Sequence, residues 1–209
     1  MAAAPEKVFA MKKVFLVFAC LLLPACQSAV RPDNHVANMQ RQVEREAVLQ
    51  KHNHWNFRGR VAISDGQQAG TVKMFWQQQG EQFDIEISLP ISNQKYRLRN
   101  IDNTVRLESY GLATIEGSSA EAVLMQVTGW RIPFDDMQLW LRGMRSDSAT
   151  AIEFGPSGLP ATFSEKGWRV DYRVWNSAVT PMPIKVFAST KSGGGNASVR
   201  LQIESWDTH

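Results

Sequence analysis

Between Trp55 and Leu89 lie three runs in which most of the large apolar side chains share one parity. Trp55, Phe57, Val61 and Ile63 alternate with Asn56, Arg58 and Arg60, and Val72, Met74 and Trp76 with Lys73 and Gln77; Phe83, Ile85, Ile87 and Leu89 alternate with Asp84, Glu86 and Ser88. A period of two buries one face of a strand and wets the other, the pattern of an antiparallel sheet packed on one side. The breaks at Asp65-Gly66 and Gln79-Gly80 have the length and the glycine of hairpins. Further strands are predicted at 94–100 (Tyr96, Leu98), 104–109 (Val105, Leu107) and 112–116 (Leu112, Ile115), which makes a six-stranded meander. Strand patterning resumes near 151–154, 161–164, 168–175, 184–189 and 197–206. About eleven strands twist too far to stay flat. The predicted fold is therefore mainly β, an incomplete, half-open antiparallel barrel.

Helical spacing interrupts the strands at three places. Val36, Met39, Val43 and Ala47 predict an amphipathic helix from Asn34 to about Lys51, with Asp33 or Asn34 as N-cap. Ser118 with Glu121 suggests a capping box that opens a helix to Thr128, stopped by Gly129. A short helix from about Asp135 to Arg142, ended by Gly143, follows Pro133. The last two sit after the sixth strand, where they can form a lid over a hydrophobic cavity. Gly193-Gly194-Gly195 reads as a hairpin tip.

The N-terminal segment has another purpose. Lys12 and Lys13 precede ten apolar residues, Val14 to Leu23, about half the roughly 20 needed to cross a bilayer as a helix. Residues 1–25 read as a signal peptide, with 1–10 an extension from an upstream start ahead of Met11. Leu23-Pro24-Ala25-Cys26 resembles a bacterial lipobox, which makes Cys26 the acylated mature N-terminus, and the two cysteines, Cys20 and Cys26, exclude a disulfide framework. The next residue is Gln27 rather than the aspartate that retains such lipoproteins at the inner membrane, so the expected location is the outer membrane, facing the periplasm. Residues 26–35 form a lipidated tether and 36–209 a single domain. Removing 1–25 takes away three lysines and one glutamate, so the net charge of +3 falls to +1. A chain so balanced lacks the footprint of a nucleic-acid binder.

Catalytic chemistry finds little support. His52 and His54 would share a strand face, but no cysteine, third histidine or carboxylate at motif spacing completes a metal site. There is no Gly-x-Ser-x-Gly and no phosphate-cradling glycine loop, and His35 and His209 lie where a triad base does not. Asp135-Asp136 opens a helix, where acidic groups complement the helix dipole. No enzyme, metal or cofactor is expected. What stands out is aromatic: seven tryptophans, spread over most of the elements. A concave face lined by Trp, Phe, Met and Leu under two short helices can hold an apolar ligand.

These residues resemble a family. The lipobox at Cys26, Phe57-Arg58-Gly59-Arg60, Phe75-Trp76-Gln77-Gln78 with Gly80, Leu89-Pro90-Ile91, the run from Gly129 through Ile132-Pro133 to Met137, Trp140-Leu141 with Gly143, Gly167-Trp168 with Tyr172, Pro183 and Trp206 are similar in order and spacing to the outer-membrane lipoprotein receptor LolB family. The resemblance implies a non-enzymatic, ATP-independent receptor. It would take triacylated lipoproteins from the periplasmic carrier LolA and insert them among outer-membrane lipids, acting as a monomer. On that reading the acyl chains lie against Trp76, Ile85, Ile87, Ile132, Leu139, Trp140 and Leu141. Pro90 makes the segment after Leu89 project as a loop, and the resemblance gives the aliphatic after this proline, Ile91, the role of entering the membrane. The competing reading is a periplasm-facing lipoprotein that binds another hydrophobic ligand in a sensory or structural role.

Overall fold

The computed structural model describes residues 34–128, 132–191 and 196–208. The order is α1 (His35–Lys51), β1 (His54–Ser64), β2 (Ala69–Gln79), β3 (Gln82–Ser88), β4 (Lys95–Ile101), β5 (Thr104–Ser109), β6 (Ile115–Gly117), α2 (Ala120–Thr128), α3 (Phe134–Leu141), β7 (Thr150–Phe154), β8 (Pro160–Glu165), β9 (Trp168–Trp175), β10 (Pro183–Thr190) and β11 (Ala197–Thr208). All eleven strands form one antiparallel sheet in the order β6-β5-β4-β3-β2-β1-β11-β10-β9-β8-β7. The sheet is open, with β6 and β7 at its two edges and α2 and α3 in the connection between them. This is the half-open barrel that the alternation implies.

The register carries the core across the strands in rows. Phe57 faces Trp76, Trp76 faces Ile85, Ile85 faces Leu98, and Leu98 faces Leu107. On the other half Ile63 faces Val199, then Ala188, Val170 and Phe163 follow in turn. Both rows lie on the inner face, and their members belong to one apolar cluster. At the centre the first and last strands meet with a bulge between Arg58 and Gly59. A Cβ at Gly59 would sit 2.5 Å from the Gln202 carbonyl oxygen, so the close strand approach demands glycine there.

Three expectations need correction. The N-terminal helix exists, but its buried residues are Asn38, Gln42, Arg45, Glu46 and Leu49, while Val36, Val43 and Ala47 are exposed. Its partner is a set of main-chain carbonyls, which polar side chains satisfy better than valines do. The cap of α2 is Ser119 in place of Ser118; its Oγ accepts from the Ala122 amide at 3.1 Å. Strand β6 starts at Ile115, which leaves Leu112 59% exposed in the turn before it. The glycines at 129 and 193–195 lie outside the described residues, as does Cys26.

Candidate functional site

The inner face and its helical cover make the first part of the site. Trp76 and Ile85 are buried on β2 and β3, and Ile87 is half-buried on the same face as Ile85. Over them, α3 presents Phe134, Met137, Trp140 and Leu141, all buried, because its apolar residues recur at helical spacing. Phe134 stacks on Trp76 with ring centroids 4.9 Å apart and touches Phe83 at the same distance. Ile132 is buried just before the helix, and Leu139 is half-buried against the cluster. All seven residues expected to meet acyl chains therefore lie in one apolar cluster, packed between sheet and helix.

The cover is fixed by polar bonds at its edges. Trp140 Nε1 donates to Glu165 Oε2 at 3.0 Å, and the Glu165 carboxylate also accepts from the Ser146 amide at 3.2 Å. The Tyr172 hydroxyl donates to the Trp140 carbonyl at 3.0 Å, and burial pushes its pKa well above the ordinary phenol value. Lys166 Nζ pairs with Asp136 at 2.7 Å at the start of α3, while Asp135 is exposed; these two acids serve the helix end and its neighbour. Arg45, from α1, donates to the carbonyls of Arg142, Gly143 and Pro181, and Gln42 Nε2 donates to Gly143 at 2.9 Å. Arg142 donates in return to the carbonyls of Leu49 and His52. Burial lowers the pKa of each arginine to about 10.

The second part is the rim at the far ends of β1, β3 and β5. Ile91 is 100% exposed in the loop between β3 and β4, next to exposed Pro90. That loop is closed by a Leu89 amide bond to the Gln94 carbonyl at 2.9 Å. Gln94 Nε2 then reaches Ser109 Oγ at 2.5 Å, joining it to the turn between β5 and β6. That turn exposes Tyr110 at 99% and Leu112 at 59%. The sequence reading missed Tyr110; its signal is Tyr-Gly-Leu, with Gly111 at φ +76°, between two short strands.

His52 and His54 are exposed, and no group of three histidines, cysteines or carboxylates that could hold a metal occurs among the described residues. No described helix is long and apolar enough to cross a membrane.

The fold and this interior define a class: a half-open antiparallel barrel whose apolar inner face is covered by helices. Residues 53–206 match the family model described as outer membrane lipoprotein LolB. The chain is 35% identical over 196 residues to the outer-membrane lipoprotein LolB of Xanthomonas axonopodis pv. citri, covering 90% of this chain and 89% of that one. It is 32% identical over 201 residues to the outer-membrane lipoprotein LolB of Xylella fastidiosa, covering 93% and 92%. The chain belongs to the outer membrane lipoprotein LolB family. Among solved structures, a LolA superfamily protein from Nitrosomonas europaea aligns with a TM-score of 0.47 at 9% identity, over 78% of this chain and 93% of that one.

Proposed function

We propose that this chain is a receptor that accepts triacylated lipoproteins from the periplasmic carrier LolA and incorporates them into the outer membrane without ATP. The observation that carries the reading is the pairing of one apolar interior beneath helices with a fully exposed aliphatic, Ile91, on its rim. Three acyl chains of about 15 methylenes each, at ~0.8 kcal/mol per methylene, resist transfer into water by roughly 35 kcal/mol. Cargo must then pass directly between apolar environments. An interior that opens beneath α3 supplies one, with Trp76, Ile85, Ile87, Ile132, Leu139, Trp140 and Leu141 as its walls. Ile91, beside Pro90, enters the bilayer and brings the opening to the acyl region.

The names of the relatives support residence at the outer membrane. Residues 1–25 act as signal peptide, Cys26 carries the lipid, 26–35 are the tether, and the remainder works as a single monomeric domain on the periplasmic face. Mass spectrometry of membrane-extracted protein is expected to find Cys26 acylated and N-terminal; an unmodified Cys26 would overturn the anchor. The function is tested by mixing purified protein with a carrier loaded with a triacylated lipoprotein. Cargo should move to this chain and then to liposomes. Cargo that stays on the carrier would sink the transfer reading and favour a receptor for another hydrophobic ligand.

A further inference from the structure

The outer face of the central strands is basic. Where Phe57, Val61 and Leu201 point inward, the alternate residues Arg58 and Arg60 on β1, Lys73 on β2, Arg173 on β9, Lys185 on β10 and Arg200 on β11 are exposed. Their register gathers them: Arg60 faces Lys73 and Gln202, Gln202 faces Lys185, and Arg200 faces Ala62 and Phe187. Arg60 pairs with Glu204 at 3.1 Å, whereas Lys73, Arg173, Lys185 and Arg200 have no ion-pair partner among the described residues. The Arg200 guanidinium lies 5.1 Å from the centre of the Phe187 ring.

This face is furrowed. Arg60, Arg173, Lys185, Arg200 and Phe187 line a depression of about 450 Å³. A second depression, about 640 Å³, shares Ala62, Thr71 and Arg200 with the first and ends against Pro90 and Ile91. The two make one continuous trough from unpaired cations to the exposed isoleucine.

We propose that the trough is a docking surface for the anionic headgroups of phospholipids, which the cations of β9, β10 and β11 engage while Ile91 enters the acyl layer beside them. The inference rests on the reading of Ile91 as the membrane-contact residue. Continuity with that loop selects a lipid surface as the occupant: an aliphatic side chain at one end and unpaired cations along the floor match the two layers of a leaflet. Unpaired Lys and Arg near an anionic surface attract it, and salt screens the attraction.

The test uses the full chain carrying Cys26→Ala, so that no acyl anchor contributes. Its binding is measured to vesicles of phosphatidylcholine alone and of phosphatidylcholine mixed with phosphatidylglycerol, at low and high salt. The native trough should bind the mixed vesicles more tightly, and salt should erase the difference. Arg173→Gln, Lys185→Gln and Arg200→Gln together, all at exposed positions, should remove that gain, ~10-fold or more, and leave binding to phosphatidylcholine unchanged. Thermal melts establish that the triple variant folds; if it does not, the single Lys185→Gln variant is read for a smaller loss of the same sign. Undiminished, salt-sensitive preference for the mixed vesicles in the variant would overturn the proposal. So would a variant that binds vesicles normally but no longer takes cargo from the carrier, since the trough would then face an acidic protein. Ile91→Glu reports separately: normal binding of that variant to both vesicles refutes the loop reading, whatever the trough does.

Discussion

Arg45 and Arg142 cap the C-terminal ends of each other's helices. Arg45 on α1 reaches the carbonyls of Arg142 and Gly143 that close α3, and Arg142 reaches the carbonyls of Leu49 and His52 that close α1. Helix ends leave acceptors without partners, and a cation there meets both the hydrogen-bond need and the negative pole of the dipole.

Removing one of these arginines should therefore release both helices. Arg45→Met, which keeps the apolar stem, is expected to lower stability by roughly 2–4 kcal/mol, because the carbonyls of Arg142, Gly143 and Pro181 lose a charged donor. Urea denaturation checks the magnitude. Hydrogen exchange should show the largest loss of protection at 134–141 rather than in the sheet.

Trp140 is the pin at the other edge of the cover. Trp140→Phe keeps an aromatic ring in the cluster but deprives the Glu165 carboxylate of its indole donor. A loss of about 1–2 kcal/mol is expected. If α3 moves to admit acyl chains, the same variant should take up an apolar fluorescent probe faster than the native protein, whereas a purely structural tryptophan would alter the melting temperature alone.

The Tyr172 phenol makes stability sensitive to alkali. Its folded pKa lies well above the ordinary value, chiefly through burial. Above pH ~10 the unfolded chain loses this proton while the folded chain retains it, so folding should weaken by roughly 1.4 kcal/mol for each further pH unit. Below that pH the phenol contributes no pH dependence. Tyr172→Phe should flatten this limb of the stability curve and lose about 1 kcal/mol at neutral pH with the bond to the Trp140 carbonyl.

Ile91→Glu should leave the melting temperature unchanged, since the side chain touches little of the fold. Delivery of cargo to liposomes should fall about 10- to 100-fold, equivalent to the roughly 1.5–3 kcal/mol of burying such a side chain in lipid. Normal delivery, or failure already at uptake from the carrier, would remove Ile91 from the membrane step.

The strands were legible in the sequence because their inner rows are built from residues two apart, as in Val199, Leu201 and Ile203. The interior residues on α3 were legible for the same reason at helical spacing. The orientation of α1 was not. Its partners are carbonyls of Arg142, Gly143 and Pro181, and main-chain acceptors leave no mark on hydropathy. Nor could Trp140 be matched with Glu165, since only the fold brings together residues 25 positions apart. Ile91 was legible through Pro90, whereas the cationic trough draws on five strands whose order the sequence does not state.

The pairing of β1 with β11 bears on how the chain comes to be folded at all. Strands β1 to β6 can zip up in the order in which they emerge, but β7 to β10 join them only through β11. The segment that unites the two halves is thus the last to arrive, more than 130 residues after β1. Long-range pairings of this kind are slow to form and leave apolar surface exposed meanwhile. Until Ala197–Thr208 has been made, Trp55, Phe57 and Val61 have no neighbour on one side, so a nascent chain needs sheltering before it can shelter anything else.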